Sequence, residues 1–236
     1  MPKVRTGPVT GLIFHVAVLA VLSGTVGLGT AGWAIGLVSG LVTYVALEYG
    51  LQRSGAAAFG AANWVTQTRA ALAGGVAALT ADSFTRPAPI AVLCVLAAVA
   101  LALDAVDGQI ARRTGGCTPL GARFDMEADA WLILVLSVYV AESVGPWVLA
   151  IGLMRYVIGF AGWLVPWLRG PVPPRYWRKV VAAMQGVTLA VAATGLLPLA
   201  VTTALVAIAL LFLVESFGSE VLWRWRRQSL RVAVSS

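Results

Sequence analysis

Long apolar runs, broken by short polar or glycine- and proline-containing stretches, organise this chain from one end to the other. A helix that crosses a bilayer needs about 20 mostly apolar residues. Runs of that kind occur at Val9 to Leu28, Trp33 to Tyr49, Trp64 to Leu79, Pro89 to Leu103, Met126 to Ala141, Trp147 to Leu168, Val180 to Thr194 and Leu197 to Phe217. Helices extend into polar flanks, so the shorter runs also read as spans. The pattern predicts an all-α, polytopic membrane bundle of eight helices. Lys3 and Arg5 precede the first run as they would in a signal peptide, but no A-x-A-like cleavage site follows, so this run reads as a retained span.

The stretch from Gln52 to Ala62 is rich in Gly and Ala and has no strong apolar face, which marks a linker or a short interfacial helix. Three segments follow from this reading. Residues 1–62 hold two leading transmembrane helices and the linker, 63–217 a six-helix block with every candidate functional residue, and 218–236 a basic cytoplasmic tail. Basic residues favour the cytoplasmic side. With the amino terminus inside, the cations of 1–5, Arg53, Arg112, Arg113, Arg123, those from Arg169 to Lys179 and those from Arg224 to Arg231 all face the cytoplasm. Only Arg86 falls outside, Arg69 and Arg155 lie within spans, and both termini are expected in the cytoplasm.

Composition strengthens the membrane reading. The 236 residues are 59% hydrophobic and 11% charged, with mean hydropathy +0.87, unlike a soluble domain. The net charge of +7 is explained by cytoplasmic loops and anionic headgroups, so nucleic acid is not an expected partner. Cys94 and Cys117 have no metal-ligand spacing and imply no disulfide framework.

Candidate chemistry concentrates in one window. Between Asp104 and Asp129 lie half of the chain's 10 acidic residues, written Asp104-x2-Asp107-Gly108-x2-Ala111-Arg112-x8-Gly121-x3-Asp125-x3-Asp129. Asp104 and Asp107 at i, i+3 share a helix face at the end of the fourth span, as do Asp125 and Asp129 at i, i+4 where the fifth begins. Gly115, Gly116 and Pro119 turn the chain between them. Converging carboxylates repel in a low dielectric unless cations are present, and all-oxygen ligands favour Mg²⁺ or Mn²⁺ over zinc. A pair of such ions can hold a diphosphate during displacement at phosphorus. Gly108 and Gly121 let a nucleotide approach the backbone, Ala111 keeps the surface low, and Arg112 can grip phosphate oxygens with two parallel hydrogen bonds.

The whole string resembles the signature of the CDP-alcohol phosphatidyltransferase family, in register at Asp104, Asp107, Gly108, Ala111, Arg112, Gly121, Asp125 and Asp129. Asn63, Thr66 and Arg69 are spaced like the Asn-x-x-Thr-x-x-Arg opening of the family's first helix. The resemblance implies a six-helix core preceded here by two extra helices. It also implies that Asp104, Asp107 and Asp125 bind two metal ions, that Asp129 completes the site as general base, and that Gly108, Ala111, Arg112 and Gly121 contact the CDP group, with Asn63, Thr66 and Arg69 near the nucleotide. The expected reaction transfers a phosphatidyl group from a lipid such as CDP-diacylglycerol to the hydroxyl of a small polar alcohol, releasing CMP in phospholipid synthesis. Family members suggest a homodimer.

For the acceptor, Arg155 lies within the sixth span while Arg169, Arg175, Arg178 and Lys179 follow it, so cations collect near the mouth of the site. Arg155, Arg178 and Lys179 are the candidate acceptor-binding residues. An anionic alcohol, glycerol phosphate or inositol phosphate, is favoured, and Gln185 after Lys179 is arranged similarly to family members that use these. Arg169 and Arg175 are also what membrane topology alone would place there. Glu127, off the Asp125–Asp129 face, reads as solvated or paired with an arginine, and His15 as an interhelical hydrogen-bond residue. The tail Trp223-Arg224-Trp225-Arg226-Arg227 reads as lying on anionic lipid. The competing function is a divalent-cation transporter using the same carboxylates, which would carry them near the bilayer midplane rather than at helix ends.

Overall fold

The computed structural model describes residues 6–54, 61–114, 119–169 and 176–235, with side-chain surroundings given for these except 6, 54, 61–63, 105–114, 119–120, 166, 169, 176 and 226–235. Among the described residues all regular structure is helical. The helices are α1 (Thr6–Val26), α2 (Thr30–Ser54), α3 (Ala61–Ser83), α4 (Ile90–Thr114), α5 (Pro119–Val144), α6 (Leu149–Leu164), α7 (Tyr176–Ala193) and α8 (Leu199–Ser235), with 3-10 turns at Pro146–Val148 and Pro166–Arg169 on either side of α6. Each apolar run of the sequence falls on one of these eight helices.

Four segments are long and apolar enough to cross a membrane by composition: Gly7–Val26, Thr30–Arg53, Pro146–Leu164 and Leu199–Trp225, with Ile90–Asp104 a shorter apolar stretch. The protein is an integral membrane bundle. The remaining helices miss that standard because they carry polar groups inward: α3 has Gln67 and Arg69 buried, α7 has Gln185 buried, and α5 carries the Asp125 to Asp129 cluster.

α3 is the hub, packed against α1, α2, α4 and α5. Its buried surface is built from small residues, including Ala70, Ala73, Ala77 and Ala78. In lipid there is little hydrophobic drive between helices, so close van der Waals contact over small side chains holds them together. The His15 ring fills one such contact. It is buried, its Nε2 lies 2.9 Å from the Gly36 carbonyl oxygen, and a Cβ at either Gly40 or Gly74 would run into it. His15 is thus the interhelical packing residue the sequence suggested. Around this hub Leu93, Leu132, Leu136, Val181, Leu189 and Val206 form one continuous core across α4, α5, α7 and α8.

The carboxyl-terminal segment differs from the sequence picture. The apolar run ends at Phe217, but α8 runs unbroken for 37 residues, about 55 Å at 1.5 Å per residue. No proline interrupts it. Arg224 pairs with Glu220 one turn earlier at 2.5 Å and donates to the Leu168 carbonyl, which ties this part of the helix to the turn after α6. An i, i+4 ion pair and a carbonyl acceptor thus hold Arg224 on protein rather than on lipid headgroups.

A second feature fixes the leading helices to the core. The Asp82 carboxylate, 4% exposed, accepts from the Gly29 and Gly32 amides at 2.7 Å each and pairs with Arg86. It caps the amino terminus of α2 from the end of α3, where orphan N–H groups and the helix dipole favour negative charge. Burial opposes ionisation here, but the Gly29 amide, Arg86 and the Gly32 amide together outweigh it and hold the carboxyl below its usual range. A depressed folded value means stability that is complete above the unfolded value of about 3.9 and is lost as pH falls through the folded one. Asp82→Asn is expected to cost about 2 kcal/mol at neutral pH, since two buried amides and a guanidinium lose a charged acceptor. The difference in melting temperature between the two proteins should shrink as the pH is taken well below 4; a difference that persists unchanged there would show that ionisation of Asp82 is not what holds the cap.

Candidate functional site

Three helices converge on one point. α4 brings Asp104 directly after its apolar run, α5 brings Asp125 and Asp129 one turn apart on a single face, and α3 brings Arg69. α4 and α5 each pack on α3 and on α7, so the two halves of the acidic window meet across α3. Asp104, Asp125 and Asp129 each offer a carboxylate oxygen within 4.8 Å of the others. Arg69 stands among them: its Nη1 is 3.0 Å from Asp104 and also pairs with Asp125, while its Nη2 pairs with Asp129.

Exposure distinguishes the partners. The Arg69 side chain is 3% exposed, whereas those of Asp104, Asp125 and Asp129 are 39%, 36% and 35% exposed. The guanidinium is thus the buried floor and the carboxylates stand at the surface of the bundle. One guanidinium against three carboxylates leaves two negative charges in excess, which a hard divalent ion would balance. The donors fit such an ion: all are carboxylate oxygens, close together, with access for the waters that Mg²⁺ or Mn²⁺ retains. Lys179 on α7 adds a charge close enough to act on Asp104.

Of the other expected residues, Thr66 is buried one turn before Arg69 on α3, and Gly121 lies one turn before Asp125 on α5. Asp107, Gly108, Ala111 and Arg112 fall on the continuous helix α4 and Asn63 on α3, but their side chains lie outside the described residues. So do those of Arg169 and Arg175, and so does Cys117.

The acceptor candidates separate. Arg155 Nη2 is 2.6 Å from Glu127 Oε1, which makes Glu127 the arginine-paired carboxylate the sequence allowed and gives the intramembrane arginine its own counter-ion. Arg178 lies 3.4 Å from Glu220 on α8. Gln185 is buried and donates to the Ala209 carbonyl at 2.7 Å, tying α7 to α8. Lys179 is left exposed near the carboxylates.

Sequence reasoning assigned Arg69 to nucleotide contact and did not foresee it as the residue joining all three carboxylates. A lone arginine inside a span was the available signal, because its cost in lipid calls for a nearby anion. The Asp82 cap was missed as well, although Asp82 and Arg86 at i, i+4 beyond a span were visible as a pair.

Residues 59–217 match the family model for CDP-alcohol phosphatidyltransferase. Among curated proteins the chain is similar to Ethanolaminephosphotransferase 1 of Homo sapiens and of Pongo abelii, each 38% identical over 81 residues. That match covers 32% of this chain and 20% of either relative, so the chain spans only a fifth of the length of the curated relatives it matches. No solved structure matches it. With the family match covering the helices that carry Arg69, Asp104, Asp125 and Asp129, the chain belongs to the CDP-alcohol phosphatidyltransferase family, membrane transferases of substituted phosphate groups.

Proposed function

We propose that this protein transfers a substituted phosphate group from a CDP-linked donor to an alcohol hydroxyl, releasing CMP, at the cytoplasmic face of the membrane. The observation that carries this reading is the convergence of Asp104, Asp125 and Asp129 within 4.8 Å in the chain's family signature. Asp129 takes the proton of the acceptor hydroxyl. The freed oxygen attacks the phosphorus on the far side of the diphosphate from the cytidine, a new P–O bond forms, and the bond to the CMP oxygen breaks. Two divalent ions, when bound by Asp104, Asp107, Asp125 and Asp129, supply charge neutralisation of the diphosphate. Arg69 holds the carboxylates in register, while Gly108, Ala111, Arg112 and Gly121 accommodate the nucleotide, with Asn63 and Thr66 beside it.

The favoured substrates are CDP-diacylglycerol as donor and a phosphorylated polyol as acceptor, with Lys179 as the cation that meets the acceptor's phosphate and Arg155 and Arg178 flanking it. The counter-ions of the two arginines weaken their share in that role. A second reading is supported by the name of the matched relatives: the CDP-linked group carries the polar head, as an ethanolaminephosphotransferase would use, and the acceptor hydroxyl belongs to a lipid. On either reading residues 1–62 are an addition to the catalytic unit 63–217, both termini are cytoplasmic, and the enzyme works as a homodimer.

Purified protein in lipid nanodiscs with Mn²⁺ distinguishes these readings. CDP-diacylglycerol offered with glycerol 3-phosphate, inositol 1-phosphate, inositol or serine should release CMP with a phosphorylated polyol. CDP-ethanolamine offered with diacylglycerol should release it only on the second reading. Absence of CMP in every arm, with Mn²⁺ accumulating in sealed vesicles, would return the carboxylates to cation transport.

A further inference from the structure

Beside the carboxylates runs a cavity of about 840 Å³ between α2, α5 and α6. Along α2 it extends from Ile35 to Arg53, roughly 27 Å at 1.5 Å per residue, close to the ~30 Å thickness of a bilayer's hydrocarbon core. Its α2 wall is made by Val38, Val42 and Ala46, and its α5 wall by Phe124, Ala128, Trp131 and Leu134. Those α5 positions follow a helical spacing one step round from Asp125 and Asp129, so the apolar stripe and the catalytic stripe are neighbouring faces of one helix.

The ends of the cavity are unlike. The deep part is mostly apolar, while the end toward the carboxylates carries Arg53 and Arg123. Ser39 and Thr43 are polar side chains of the α2 wall, and Glu127 also lines the cavity but is paired with Arg155. Among the described residues no carboxylate pairs with Arg53 or Arg123, and Arg53 rests over the Tyr49 ring at 4.6 Å from its centroid. The Trp131 ring adds a broad apolar surface to the α5 wall. An apolar channel with cations at one end suits a molecule with a hydrocarbon chain and a phosphate.

We propose that the leading helix α2 builds, with α5 and α6, a groove that holds a hydrocarbon chain of the glycerolipid substrate. α2, which lies outside the catalytic unit, then selects which lipids reach the carboxylates. This rests on the reading of the carboxylate cluster as a transfer site; Arg53 and Arg123 are matched where the glycerolipid is the CDP-linked donor, and the apolar walls alone serve where it is a diacylglycerol acceptor.

Val42 is 61% exposed, so Val42→Trp fills the groove without disturbing buried packing. Two activity arms use dioleoyl and dioctanoyl lipids: CDP-diacylglycerol as donor, or diacylglycerol as acceptor with CDP-ethanolamine. The variant should lose about tenfold or more in kcat/KM with dioleoyl lipid and less than about twofold with the short-chain form, in line with the discrimination hydrophobic pockets achieve. A third arm needs no turnover: CDP-diacylglycerol and diacylglycerol, each with a diazirine at the end of an acyl chain and photolysed without the second substrate, are compared, and at least one should label α2 between residues 35 and 46 in the parent and not in Val42→Trp. Equal losses for both chain lengths, or labelling that never falls on α2, would overturn the groove. Should the parent release no CMP in any arm, the transfer reading fails, and the labelling alone decides whether α2 binds lipid.

Discussion

Asp129→Asn is expected to lower CMP release by about 10² to 10⁴-fold, the usual range for loss of a general base, with the protein otherwise intact. Asparagine keeps the shape of the side chain and an oxygen that can still accept from Arg69 Nη2, so the α3–α5 contact survives. What disappears is the capacity to take a proton and one negative charge at the cluster. Asp104 and Asp125 remain close to each other, so Mn²⁺ affinity, read by electron paramagnetic resonance of the free ion, should weaken far less than turnover. A kcat near that of the parent, combined with strongly weakened Mn²⁺ binding, would reassign Asp129 as a ligand without a proton-transfer role.

The number and order of helices were legible in the sequence because each carries an apolar run, some of bilayer length and the rest shorter with polar flanks, and in a membrane every backbone polar group must be satisfied internally, which leaves a helix as the natural state of such a run. The carboxylates were legible because i, i+3 and i, i+4 spacing fixes a shared face before any tertiary contact is known. Contacts across helices were not. Nothing in the local pattern says that α4 and α5 meet over α3 rather than directly, because that depends on Ala70, Ala73 and Gly74 making α3 thin enough to sit at the centre. The length of α8 was underread for a similar reason. In sequence Arg224 reads as a headgroup-facing cation, whereas the acceptor that holds it in the bundle, the Leu168 carbonyl, lies 56 residues away. The lipid groove needed the same long-range information, since its walls come from α2 and from α5 and α6, far apart in the chain.

The second large effect concerns Arg69. Removing one member of a buried ion pair typically costs about 3–5 kcal/mol, but the three carboxylates it joins are each more than a third exposed, and water screening lowers that to about 2 kcal/mol. For a chain of this size, Arg69→Gln should therefore melt about 4–8 °C below the parent in chelator. Lysine is no substitute, because a single ammonium lacks the planar fork that reaches Asp104, Asp125 and Asp129 together. The sign of the metal response is the sharper test. In the parent, an arriving divalent ion meets carboxylates already engaged by a guanidinium; in Arg69→Gln it supplies the missing positive charge outright. Saturating Mn²⁺, which stabilises by about 2.7 kcal/mol at a hundred times its dissociation constant, should raise the melting temperature of the variant more than that of the parent and close most of the gap between them. An Arg69→Gln protein as stable as the parent in chelator would mean that Arg69 serves the nucleotide alone. A gap that Mn²⁺ leaves unchanged would mean that the carboxylates do not share one cation site.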